Sequence, residues 1–158
     1  MSNVRDDWQD FIRALEQRGV EYMIVGGVAL GVHGHVRYTK DLDVWFRGEP
    51  ANAERLIGAL MDFGFESLKV PVEAFCKPRA MLVIGAEPNR IELINFADGV
   101  EFNECYARRI VVPLGDTQAT VIALDDLRTN KRAVNRLQDQ ADLEALDHQA
   151  QKASLETR

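Results

Sequence analysis

A chain of 158 residues with 46% hydrophobic and 28% charged side chains has the size and composition of one globular domain, able to bury about 70% of the surface its unfolded form would expose. Its net charge of -6 opposes general affinity for nucleic acid, so any phosphate ligand must be held by a local cluster of groups. No apolar run approaches the roughly 18 to 20 residues of a spanning helix, which leaves no membrane partner to expect.

The chain begins with an amphipathic pattern. Val4, Trp8, Phe11, Ile12 and Leu15 share one helical face, and Gly19 supplies a left-handed stop. Tyr22 to Val25 is a short apolar run that predicts a strand, followed by a tight turn at Gly26-Gly27 and a short helix ending near His33-Gly34. Leu42 to Phe46 reads as a second strand. Pro50 to Met61 reads as a second amphipathic helix, with Leu56, Ile57, Leu60 and Met61 inward and Gly64 behind it as a stop.

Met81 to Ile84 and Arg90 to Asn95 read as strands joined by a turn containing Pro88 and Asn89, and Phe102 to Arg109 as a short helix. Val111 to Pro113 and Thr120 to Ile122 read as edge strands. From Asp125 onward, good helix formers with Leu127, Val134, Leu137, Leu143 and Leu146 predict two helices that break near Leu137 to Asp139. The polar last eight or so residues are expected to fray. The order is that of an α/β (α+β) domain, a small mixed sheet flanked by helices, and no repeat or linker divides residues 1–158.

The N-terminal Met-Ser-Asn-Val-Arg-Asp-Asp-Trp has no apolar core or cleavage pattern, so the expected location is the cytoplasm. Cys76 and Cys105 lack the spacing of a zinc site or disulfide framework and are expected to be reduced structural thiols.

Asp41 and Asp43 carry the clearest chemical signal. Residues two apart on a strand point to the same face about 6 to 7 Å apart. Two carboxylates so placed suit a hard cation such as magnesium, which takes oxygen donors from carboxylates, water and phosphate. The same alternation also suits a solvated strand face. Gly26-Gly27, between an apolar strand and a helix, lets backbone amides approach an anion without a Cβ in the way, although glycine serves any tight turn. Arg37 is placed to bind a phosphate or pair with an acid, and Thr39 to order the turn. His33 suits a structural tie more than an acid or base. Arg128, Lys131, Arg132 and Arg136 form a basic helical side that either pairs with Asp125, Asp126 and Asp139 in solvent or faces a ligand.

The stretch Val25-Gly26-Gly27-Val28-Ala29-Leu30-Gly31-Val32-His33-Gly34-His35-Val36-Arg37-Tyr38-Thr39-Lys40-Asp41-Leu42-Asp43 resembles the nucleotidyltransferase superfamily of the DNA polymerase beta-like fold. The shared form is Gly-Gly-x-Ala, His-Gly, Arg-x-Thr-x-Asp-Leu-Asp. It is most similar to small prokaryotic nucleotidyltransferases related to toxin and antitoxin systems, including the AbiEii type. The similarity extends through Ile91-Glu92-Leu93-Ile94, Gly99-Val100-Glu101-Phe102, Leu124-Asp125-Asp126-Leu127, Lys131, Asp139 and Asp142, covering about residues 20 to 147.

The resemblance implies a metal site of Asp41, Asp43 and a third acid on a neighbouring strand, at Glu92, holding two Mg2+ ions, with Mn2+ as an alternative. Glu92 departs from the more usual Asp. The resemblance further implies that Gly26, Gly27, Arg37, Thr39 and Lys131 bind a nucleoside triphosphate. The expected reaction moves a nucleoside monophosphate to a hydroxyl of a protein or RNA acceptor with release of pyrophosphate, in a toxin and antitoxin pair. Asp139 and Asp142 are expected to organise the C-terminal helices. A second reading, favoured by Glu92 and by the lack of an added acceptor-binding domain, is a catalytically weak or inactive module of the same fold that binds a partner protein. An RNA-binding adaptor is disfavoured by the acidic net charge and by the lack of aromatics among the basic residues.

Overall fold

The computed structural model describes residues 6–65 and 69–156. Helix α1 (Asp6–Gln17) buries Trp8, Phe11, Ile12 and Leu15, as the spacing of its apolar residues requires. Val4 lies outside the described residues. Gly19 follows at φ +67, the left-handed conformation that ends the helix. Strand β1 (Tyr22–Val25) is buried at every position, so side chains on both of its faces are covered. Helix α2 (Gly26–Val32) begins on the first glycine itself, with no separate turn before it.

Strand β2 (Asp41–Phe46) buries Leu42, Val44 and Phe46 on one face, while Asp41 and Asp43 lie half-buried on the other. Helix α3 (Pro50–Asp62) starts with proline in its first turn and buries Leu56 and Leu60. Met61, expected inward, is 50% exposed. With Leu56 and Leu60 setting the buried direction, a residue one step beyond Leu60 is rotated by about 100° away from it. A one-turn helix α4 (Val72–Cys76) inserts Phe75 into the core, its ring edge-on to Phe46 with centroids 5.6 Å apart.

Strands β3 (Met81–Ile84) and β4 (Arg90–Ile94) pair antiparallel. Helix α5 (Phe102–Ala107) sets Phe102 edge-on against Trp45 at 5.3 Å. Strands β5 (Ile110–Leu114) and β6 (Thr117–Val121) form a second antiparallel pair. All six strands join one mixed sheet in the order β3-β4-β2-β1-β6-β5. β5 is therefore an edge strand, as expected, but β6 is interior, parallel to β1 and antiparallel to β5. Its C-terminal half is buried accordingly.

Helix α6 (Leu124–Val134) ends at Asn135 in the left-handed conformation, φ 57, and α7 (Leu137–Glu156) follows. The break thus falls two residues earlier than the expected Leu137 to Asp139, and Leu137, the first residue of α7, is 84% exposed. The buried residues of α7 are Asp139, Asp142 and Leu146. Residues 151–156 remain helical and exposed. Both cysteines are free thiols. Among the described residues no helix is long and apolar enough to cross a membrane.

Candidate functional site

The centre of the sheet brings the acidic residues together. β2 and β4 run parallel with Asp41 opposite Arg90 and Asp43 opposite Glu92. Because side chains alternate along a strand, Leu42, Ile91 and Leu93 go into the core while Asp41, Asp43, Arg90 and Glu92 share the other face. They floor a cleft of about 480 Å³ whose walls include Gly26, Gly27, Arg37, Thr39, Lys131 and Arg136. Every residue singled out from the sequence as a site residue lines this one cleft.

Gly26 is held at φ +68, and a Cβ there would overlap Oδ2 of Asp43 and lie 3.0 Å from its Cγ. The absent side chain is therefore what lets the Asp43 carboxylate sit against the start of α2. At Gly27 a Cβ would lie 2.9 Å from Oγ1 of Thr39. Thr39 in turn donates its hydroxyl to the Asp41 carbonyl at 3.1 Å, so it orders the approach to β2 as its type suggested. His33 Nε2 lies 2.7 Å from the Ile122 carbonyl oxygen, which ties the end of α2 to the end of β6.

The charges are paired in a specific way. Arg90 donates from Nε and Nη2 to the two oxygens of Asp41, at 2.6 and 3.1 Å. Desolvation, first, and then the hydrogen bond and like charge of Glu92 and the charge of Asp41 hold the Asp43 carboxyl well above the usual carboxylate range, against a smaller opposite pull from Arg136. Two carboxylates in contact share a proton when no cation neutralises them.

The opposite wall is a buried ionic network. Lys131, 4% exposed, donates to Asp139 at 3.3 Å and to Asp142 at 2.8 Å. Arg37 donates from Nε and Nη2 to both oxygens of Asp142 at 2.9 and 3.0 Å. Arg136 reaches Asp139 at 2.8 Å with its own side chain 73% exposed. Burial by itself would raise both aspartates, but Arg136 and Lys131 outweigh it at Asp139, and Arg37, Lys131 and Gln138 do so at Asp142, leaving both below the usual range. Of the solvent pairings with Asp125, Asp126 and Asp139, the one with Asp139 forms, from exposed Arg136 and from buried Lys131, whereas Asp126 pairs with Arg108 and Arg128 with Asp147. Asp139 and Asp142 join α7 to α6 and to the segment before β2.

Two cleft residues, Arg90 on the floor and Gln138 in the wall, did not stand out in the sequence. Arg90 had a local signal, since it stands two before Glu92 on the same strand face. Gln138 had none.

Three oxygen donors with two carboxylates in contact have the chemistry to hold a hard divalent ion. As they stand, no three or more Asp, Glu, His or Cys side chains among the described residues are set to hold a metal ion, and Asp41 is engaged by Arg90. No protein-family model matches the chain, and no curated protein matches it in sequence.

Proposed function

We propose that the cleft binds a nucleoside triphosphate with Mg2+ and transfers its nucleoside monophosphate to an acceptor hydroxyl, releasing pyrophosphate. The observation that carries this reading is the convergence of Asp41, Asp43 and Glu92 on one face of paired strands, directly beside the side-chain-free backbone of Gly26. Asp41, Asp43 and Glu92 would hold the metal, which when bound supplies charge neutralisation at the phosphates and activation of an attacking oxygen.

The chain's own groups do the rest. Glu92, already in contact with Asp43 and partly exposed in the cleft, is placed to take a proton from the acceptor hydroxyl. Gly26 and Gly27 offer backbone to a phosphate without obstruction. Arg37, Lys131 and Arg136 together outnumber Asp142 and Asp139 by one charge, so the network leaves the wall net positive, and Thr39 keeps Gly27 and Asp41 in register. Fixed charge and positioning of this kind supply most of the barrier reduction in phosphoryl and nucleotidyl transfer. A protein or RNA hydroxyl is the acceptor class, a toxin and antitoxin pair the setting, and the cytoplasm the compartment.

The test is incubation of the pure protein with Mg2+ and each α-labelled triphosphate in the presence of RNA or protein acceptors. Labelled acceptor together with pyrophosphate, both lost in Glu92→Gln, is the expected result. Partner binding without transfer, and without an effect of Glu92→Gln, would favour the noncatalytic module.

A further inference from the structure

The cations around the cleft divide into two kinds. Lys131, Arg37 and Arg136 are all paired to Asp139 or Asp142, buried carboxylates to which the proposed function assigns no metal. Lys40 reaches Glu87 at 3.5 Å. Arg90 differs from them: it grips Asp41, a carboxylate that the proposed function requires as a metal ligand. Its guanidinium fork covers both oxygens of Asp41, and Nη2 also lies 4.0 Å from Oε1 of Glu92. The site's own arginine therefore sits as a monovalent cation between two of the acids that would bind the divalent one.

We infer that Arg90 is an exchangeable latch, which neutralises Asp41 in the metal-free protein and moves to the triphosphate when metal and nucleotide bind. This inference rests on the proposed function. A divalent ion at Asp41 puts a like charge beside the guanidinium and removes its attraction to the carboxylate. The incoming polyphosphate offers the same planar, bidentate hydrogen bonding that Asp41 gave up. Glu87, 3.5 Å from Nη2, gives the side chain an anionic partner on the outer side of the cleft during the exchange. The Arg90 side chain is 32% exposed, so it is not packed into the core and can turn without opening it. The arrangement makes metal binding weak without nucleotide and strong with it, since Arg90 competes with the ion in the first case and assists the ligand in the second.

The test measures two affinities on the full chain. Mn2+ alone is titrated by electron paramagnetic resonance. ATP, GTP, CTP and UTP are titrated by calorimetry at saturating Mg2+. For Arg90→Gln the expected result is Mn2+ binding tighter by about five- to tenfold and triphosphate binding weaker by about tenfold or more. Arg90→Lys, which keeps the charge and loses the fork, is expected to fall between on both, and circular dichroism of both variants checks that they fold. Unchanged Mn2+ affinity in Arg90→Gln, or tighter Mn2+ with unchanged triphosphate affinity, overturns the latch while leaving the proposed function standing. A wild-type protein that binds neither Mn2+ nor any triphosphate overturns both.

Discussion

Replacing Gly26 by alanine separates the conformational role of that glycine from its role beside Asp43, because the chain contains its own control. Gly19 and Gly26 have nearly the same left-handed backbone, φ +67 and φ +68, but a Cβ at Gly19 meets nothing within 4 Å. A Cβ at Gly26 overlaps the Asp43 carboxylate and comes within 3.0 Å of Cγ and 3.3 Å of Cβ. Left-handed backbone costs an alanine about 1 to 2 kcal/mol, so Gly19→Ala is expected to destabilise by that amount. Gly26→Ala adds displacement of Asp43. The atoms met belong to the end of a side chain that can turn, so the extra cost is that of an off-rotamer conformation, about 0.5 to 1.5 kcal/mol. Its main effect falls on the site, where a shifted ligand is expected to weaken Mn2+ binding about tenfold or more. Urea denaturation gives the stabilities, and Mn2+ titration of both variants gives the site effect. Equal destabilisation by the two substitutions, together with unchanged Mn2+ affinity in Gly26→Ala, would show that the missing Cβ at Gly26 serves only the left-handed backbone and not the placement of Asp43.

The buried network makes three further predictions. Lys131→Met leaves two buried aspartates short of a cation and is expected to destabilise by about 3 to 5 kcal/mol, measured by urea denaturation. Replacing Arg37 with Gln leaves Asp142 its bonds from Lys131 and Gln138, so a smaller loss, about 1 to 3 kcal/mol, is expected in the same assay. Because Asp139 and Asp142 titrate below their unfolded values, their contribution is full above the unfolded carboxylate range and is lost as pH falls through the folded values. Asp142→Asn is therefore expected to flatten the acid side of a plot of stability against pH, with the wild-type slope retained if the network contributes nothing.

Much of the site could be read from the sequence because it obeys local rules. Asp41 and Asp43 share a face by strand alternation, and Leu42 between them marks the opposite side as core. The pairing of Asp43 with Glu92 could not be read that way, since a parallel register between strands so far apart in the chain leaves no local trace. The interior place of β6 was hidden for the same reason: its parallel contact with β1 depends on chain segments more than 90 residues apart in the register Ile24 to Val121. α4 is a single turn of five residues, too short for a periodic signal. The network around Lys131 was the hardest feature to see. The first buried positions of α7 are Asp139 and Asp142, so the helix presents charge where apolar periodicity would mark burial, and Lys131 on α6 read either as part of a solvated stripe or as a ligand-facing cation.

If Asp41, Asp43 and Glu92 form the proposed metal-dependent triphosphate site, triphosphate binding must depend on both the metal and these carboxylates. Calorimetric titration of the pure protein with ATP, GTP, CTP and UTP, with and without Mg2+, tests it most directly beside the Asp41→Asn/Asp43→Asn variant. The expected result is binding of at least one triphosphate that requires Mg2+ and is lost in the variant. No binding of any triphosphate at millimolar concentration, or binding unaffected by the double substitution, would contradict it.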